Sequence, residues 1–94
     1  MIVLNRSITL VGSLSREVYS IRIRCDGILS SILNTKDEDL IDRLKNELKI
    51  LENRRKEVFS IATSMRKFHY LDNLSIELLI EIASRPLNYY PNAV

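Results

Sequence analysis

The sequence predicts an all-α protein, a long antiparallel, coiled-coil-like helical hairpin with a short third helix that closes its open end. The 94 residues contain two glycines and two prolines, fewer than a turn-rich β fold needs. Residues 36–71 contain neither and repeat leucine and isoleucine at three- and four-residue steps, the period of an amphipathic helix. Residues 4–33 carry a second apolar repeat that can pair with the first.

The composition indicates one globular domain spanning residues 1–94. Hydrophobic residues make up 46% and charged residues 28% of the chain, which separates it from disordered sequences. The net charge of +2 gives no general case for a polyanionic partner. A single cysteine, Cys25, excludes a disulfide framework. No long apolar run predicts a membrane helix, and no signal peptide is recognisable, so we expect a cytoplasmic (intracellular) protein.

The first helix, predicted over residues 4–33, has a competing interpretation. Residues 19–25 alternate apolar and polar side chains and precede Asp26-Gly27, a pattern typical of a β-hairpin. Gly12 and Gly27 would each weaken a helix by about 1 kcal/mol. The helical alternative depends on a three-four spacing in which eight of nine positions are apolar: Leu4, Ser7, Val11, Leu14, Val18, Ile21, Cys25, Ile28 and Ile32. Periodicity alone does not decide between them.

Pairing with the second helix, predicted over residues 36–71, favours the helical interpretation. With a turn at residues 34–36, Asn34 or Thr35 would cap the second helix, and acidic residues 37–39 would lie in its first turn. The resulting seam pairs Ile32 with Ile41, Ile28 with Leu44, Cys25 with Leu48, Ile21 with Leu51, Val18 with Arg55, Leu14 with Val58, Val11 with Ala62 and Ser7 with Met65. The same register places three opposite charges side by side, as an antiparallel coiled coil favours: Glu17 with Arg54, Arg24 with Glu47 and Arg22 with Glu52.

The C-terminal part predicts a short helix and an extended tail. Residues 72–75 interrupt the long helix and supply caps for a third helix over residues 75–84. Arg85-Pro86 ends that helix, because the residue before a proline is disfavoured in the α region. The tail, residues 86–94, carries Tyr89 and Tyr90.

The predicted function is a non-catalytic protein–protein interaction in an adaptor, assembly or regulatory role. Each helix of a hairpin buries one stripe, so a dimer, a higher oligomer or a larger protein partner would complete the core. The apolar residues outside the seam are the predicted partner-binding residues: Ile23, Leu29, Leu33, Leu40, Ile50, Phe59, Tyr89 and Tyr90.

A nucleic-acid-associated regulator that uses the basic half of the hairpin is the alternative. Its possible phosphate contacts are Arg54, Arg55, Lys56, Arg66 and Lys67. The acidic residues Glu52 and Glu57 interrupt this run, which favours a solvated helix face. For Arg55, on the seam, we expect a packed stem with its guanidinium reaching solvent near Glu17 or Glu52. A role in specifying the register or the oligomeric state is the other interpretation.

No catalytic, cofactor or metal motif is recognisable, so we expect neither an enzyme nor a bound cofactor or metal. Cys25 and the single histidine, His69, would lie about 40 Å apart along the rod, too far for a catalytic pair. Residues 40–58 resemble the first helix of the small all-helical chorismate mutases. That family gathers cationic side chains from three helices on a dicarboxylate, whereas the basic residues of this chain spread around the rod.

Overall fold

The computed structural model describes residues 2–67 and 73–87, with side chains described over residues 10–67 and 74–87. These residues form α1 (Ile2–Asn34), α2 (Glu38–Met65) and α3 (Asn73–Ser84), with no strand in the described ranges. The predicted all-α fold is confirmed. The expected helical residues 68–71 and the tail tyrosines Tyr89 and Tyr90 lie outside the described residues.

The helix α1 runs without interruption through the region that could have formed a β-hairpin, so that alternative is wrong. A tight hairpin turn at Asp26-Gly27 would need positive φ angles, and no described residue has one. The helical repeat prevails because its apolar stripe is covered: the stripe residues Val11, Leu14, Val18, Ile21, Cys25 and Ile28 are all buried.

The helix α2 begins two residues later than predicted, with Asp37 as its N-cap, and it ends at Met65. The prediction that it continues through residues 66–67 is wrong, because these two residues form a turn. A carboxylate oxygen of Asp37 accepts hydrogen bonds from the backbone N–H groups of Asp39 at 3.0 Å and Leu40 at 3.3 Å. The expectation that Asn34 or Thr35 caps the helix is wrong. The Thr35 hydroxyl accepts a hydrogen bond from the Asp37 backbone N–H at 3.2 Å and so shapes the turn before the helix.

Two of the three predicted charge pairs flank the antiparallel seam. Arg24 binds the Glu47 carboxylate through two hydrogen bonds of 2.6 and 2.9 Å. Arg54 likewise uses Nε and Nη2 on Glu17, with the Nη2 bond at 2.9 Å. Because both pairs join α1 to α2 in the predicted register, the register of the hairpin is confirmed. The third pair, Arg22 with Glu52, is wrong, because both side chains have other partners.

The helix α3 lies along the open half of the hairpin. Its apolar face is buried in one core cluster with residues of both long helices: Val11, Leu14, Val18, Val58, Ala62, Met65, Ile76, Leu79, Ile80 and Ala83. After α3 ends, Leu87 enters a second cluster in the turn half, with Ile21, Cys25, Ile28 and Leu48. The described residues therefore form a rod, with extents of 54 × 23 × 15 Å, that has three helices in one half and two in the other.

The adjacent residues Leu79 and Leu78 test this placement of α3. Leu79 is fully buried and Leu78 is 57% exposed. We expect Leu79→Ala to lower the free energy of unfolding by about 2–5 kcal/mol and Leu78→Ala by less than about 1 kcal/mol, measured by urea denaturation followed by circular dichroism. Equal losses in the two variants would contradict the described orientation of α3.

Candidate interaction surfaces and the cluster that supports them

A buried ion pair lies at the midpoint of the rod. Arg55 is 5% exposed, and its Nε and Nη2 donate to the two carboxylate oxygens of Glu52 at 2.8 and 2.6 Å. Its Nη1 donates to the backbone carbonyl of Ala83, in the last turn of α3, at 2.7 Å. The expectation that the Arg55 guanidinium reaches solvent is therefore wrong. The side chain turns inward because α3 brings it a carbonyl acceptor.

Arg22 completes this cluster from α1. Its Nη2 donates to the carbonyls of Ile82 at 2.6 Å and Arg85 at 2.7 Å. The last carbonyls of a helix lack intrahelical partners and carry partial negative charge, so cations stabilise that end. Glu52 in turn accepts a hydrogen bond from the Leu87 N–H at 3.2 Å. Together Arg22, Glu52 and Arg55, the clamp cluster, join all three helices to the segment after α3.

The clamp cluster keeps Glu52 ionised despite its burial. Desolvation raises the pKa of Glu52, but the hydrogen bonds from Arg55 and the Leu87 N–H outweigh it, so the pKa lies below its ordinary value. Hydrogen bonds from arginines likewise lower the pKa values of Glu17 and Glu47, through Arg54 and Arg24. Each of these carboxylates therefore favours the folded state in its charged form.

The predicted phosphate contacts divide into engaged and exposed groups. Arg55 is buried in the clamp cluster, where a phosphate has no access to it. Arg54 contacts Glu17, and also Glu57 at 3.5 Å. Arg66 contacts Glu77 at 2.8 Å. Lys56 and Lys67 are exposed. The described part of the chain therefore presents two lysines, and not a continuous basic run, from this set.

The predicted partner-binding residues also divide. Ile23 is 72%, Leu33 85% and Ile50 60% exposed, as a partner-binding role requires. Leu29 and Phe59 are half-buried, because they pack against the core clusters of the turn half and the open half. Leu40 is half-buried as well. The exposed members lie on two helices, Ile23 and Leu33 on α1 and Ile50 on α2.

One exposed face of α1 adds Tyr19, which the sequence reasoning does not select, to the predicted residues Ile23 and Leu33. Tyr19 is 57% exposed and lies one helical turn before Ile23, on the side of α1 opposite the seam. We call the surface formed by Tyr19, Ile23 and Leu33 the α1 outer face. The signal was present in the sequence, since these residues follow each other at helical spacing. The helical spacing alone does not identify this face, because Tyr19 fits the alternating β pattern equally well.

Other kinds of site find no support in the described residues. Cys25 is 2% exposed, and burial raises the pKa of its thiol, so it is protonated and unreactive at neutral pH. The described side chains contain no group of three or more potential metal ligands. Within the described ranges no helix is long and apolar enough to cross a membrane.

Comparison with family models, curated proteins and solved structures finds no match to this chain.

Removal of Arg55 tests the importance of the clamp cluster. We expect Arg55→Ala to lower the free energy of unfolding by about 3–5 kcal/mol, because it leaves Glu52 buried without its counter-charge. The neighbouring Arg54→Ala removes an ion pair that is more than a third exposed on both sides and should cost less than about 1 kcal/mol. Urea denaturation measures both. A smaller loss for Arg55→Ala than for Arg54→Ala would refute the role of the cluster.

The lowered carboxylate pKa values predict how stability depends on pH. Their contribution is fully present above the unfolded-state pKa of about 4.3 and is lost as the pH falls through the lower folded-state values. We expect the urea midpoint to be nearly constant from pH 7 to about 5 and to fall below about pH 4. Glu52→Gln should reduce stability at pH 7 and make the acid-side fall shallower. An acid-side fall of unchanged steepness in Glu52→Gln would contradict the assignment.

Proposed function

We propose that this protein is a non-catalytic interaction protein, with an adaptor, assembly or regulatory role, that acts through the α1 outer face. The exposure of Tyr19, Ile23 and Leu33 on one rigid helix supports the proposal most directly. The opposite side of α1 is packed against α2 and α3. A partner would therefore meet a preformed surface and would not need to order it.

The size of the exposed groups is sufficient for specific binding. Complete burial of a leucine or isoleucine side chain stabilises an association by about 1.5–3 kcal/mol before the entropic costs of binding. Ile23 and Leu33 expose most of that surface, and tyrosine is enriched in interface cores. Contact through one face of a preformed helix is a common mode of protein recognition.

The nucleic-acid alternative is reduced to two exposed phosphate contacts. Glu52, expected to interrupt the basic run, turns inward to Arg55, which favours the alternative. Arg54 and Arg66 are held by Glu17 and Glu77, which weakens it. With Lys56 and Lys67 as the exposed contacts, the logarithm of the binding constant would change with the logarithm of salt with a slope of about −2. A titration of duplex DNA or RNA at low salt, with wild type and a double Lys→Ala variant at these positions, measures this.

Affinity capture from the native cell tests the proposed function. The tagged chain should retain a defined partner, either a larger protein or an untagged copy of itself, in stoichiometric amount. Ile23→Glu places a charge in the α1 outer face and should reduce the retained partner by at least about tenfold. The control Leu78→Glu adds the same charge at an exposed position of α3 and should retain the partner. Equal retention by both variants, or no partner for the wild type, would count against the proposal.

A further inference from the structure

The exposed side of α1 presents a second line of residues at coiled-coil spacing, separate from the seam, and three of its seven positions are large and apolar. Its positions follow each other at steps of four and three residues, the spacing of a coiled-coil interface: Gly12, Arg16, Tyr19, Ile23, Asp26, Ser30 and Leu33. All of these residues except Gly12 and Ser30 carry large or charged side chains, and all except Gly12 are exposed. The α1 outer face is the apolar part of this line of residues.

We infer that a second copy of this chain binds here, with its α1 antiparallel to the first and a two-fold axis near residue 21. This inference rests on the proposed function and names the partner. The register places Tyr19 opposite Ile23 of the second copy, Arg16 opposite Asp26 and Gly12 opposite Ser30. Each pair occurs twice because of the two-fold symmetry.

Charge selects the antiparallel arrangement. Arg16 is exposed, and its described hydrogen bond to the Ser13 hydroxyl is long, at 3.5 Å. Asp26 is exposed and takes part in none of the ion pairs found among the described residues. Antiparallel pairing brings Arg16 against Asp26 of the second copy at both ends. Parallel pairing in register would set Arg16 against Arg16 and Asp26 against Asp26, which is repulsive.

Small residues beside this line permit a close approach of the two helices. Gly27 has no positive φ, and a Cβ atom built on it meets nothing within 4 Å. The fold of a single chain therefore does not need glycine there, although glycine costs a helix about 1 kcal/mol relative to alanine. In the pair, Gly27 lies against Ser13 of the second copy, and Ser20 lies against Ser20 at the two-fold axis. Helix backbones can approach where such small side chains meet.

The clamp cluster leaves this face free for the second copy. Arg22, which lies beside this line, is directed to the carbonyls of Ile82 and Arg85, so two copies of Arg22 do not confront each other. Residues 12–33 span about 33 Å of helix. One helix pair of that length is at or below the low end of stable interfaces, about 600 Å² per partner. We therefore expect a dimer that dissociates in the micromolar range.

Substitutions that exchange the charges at positions 16 and 26 test the inference. The measurement is sedimentation equilibrium of the full chain from about 1 to 300 μM, a range that brackets this affinity. The wild type should change from monomer to dimer across this range. Arg16→Asp and Asp26→Arg should each weaken the dimer by at least about tenfold, since each creates two like-charge contacts. The double variant restores opposite charges and should recover the wild-type mass. Leu78→Glu is the control and should dimerise like the wild type.

A second measurement locates the axis. Ser20→Cys should form an intermolecular disulfide under mild oxidation, because position 20 meets itself across the two-fold axis, and Ser31→Cys should not. A wild type that stays monomeric, single exchanges without effect, or a double variant that fails to recover would each overturn the inference. A monomeric wild type that still captures another protein through Ile23 overturns only the self-pairing. A monomeric wild type that captures nothing overturns the proposed function too.

Discussion

The ion pair between Arg55 and Glu52 determines how the third helix meets the hairpin. A buried charge is costly unless it is paired and hydrogen-bonded. For Arg55, a carboxylate of α2 supplies the opposite charge, and a backbone carbonyl of α3 supplies a further hydrogen-bond acceptor. Glu52 holds two nitrogens of the guanidinium, and the Ala83 carbonyl takes a third. The structure in which Arg55 is satisfied is therefore the structure in which α3 ends beside the middle of the rod.

This position of α3 divides the molecule into two halves with different cores. In the open half, α3 covers a groove that two helices alone would leave exposed. In the turn half, Leu87 is the described residue after α3 that adds to the two-helix seam, and its backbone N–H donates a hydrogen bond to the Glu52 carboxylate. The side of α1 turned away from both remains in water. That side carries Tyr19, Ile23 and Leu33, the surface on which the proposed function rests, while Ile50 on α2 and Leu74 and Leu78 on α3 are exposed as well.

The sequence predicts the hairpin and its register because both depend on local repeats and neighbouring charges. The pairs of Arg24 with Glu47 and Arg54 with Glu17 follow from the register alone. Arg22 and Glu52 do not, since their partners are backbone groups of α3 and Leu87, more than 30 residues away in the chain. The inward turn of Arg55 has the same cause. A pattern of side-chain types does not reveal where the unpaired carbonyls of another helix will lie.

For the candidate surface, too, the sequence predicts the exposure of some residues and not of others. The exposure of Ile23, Leu33 and Ile50 agrees with their positions outside the seam. Leu29 and Phe59 occupy comparable positions but contact the two core clusters, because α3 and Leu87 widen the core on one side of the hairpin. Tyr19 was overlooked since a tyrosine in an alternating stretch suits a strand as well as a helix. The burial of the α1 stripe residues at helical spacing distinguishes a helix from a strand here.

Native-state hydrogen exchange of the α3 amides tests most directly whether the clamp cluster holds this helix in place. In the wild type, the amides of residues 79–83 should exchange with the same free energy as the buried amides of α1 and α2, as one cooperative unit. In Arg55→Ala, measured under conditions where the hairpin stays folded, the α3 amides should exchange at least about tenfold faster relative to those of the hairpin. Equal acceleration of both sets, or α3 amides that are already unprotected in the wild type, would contradict this role of the cluster.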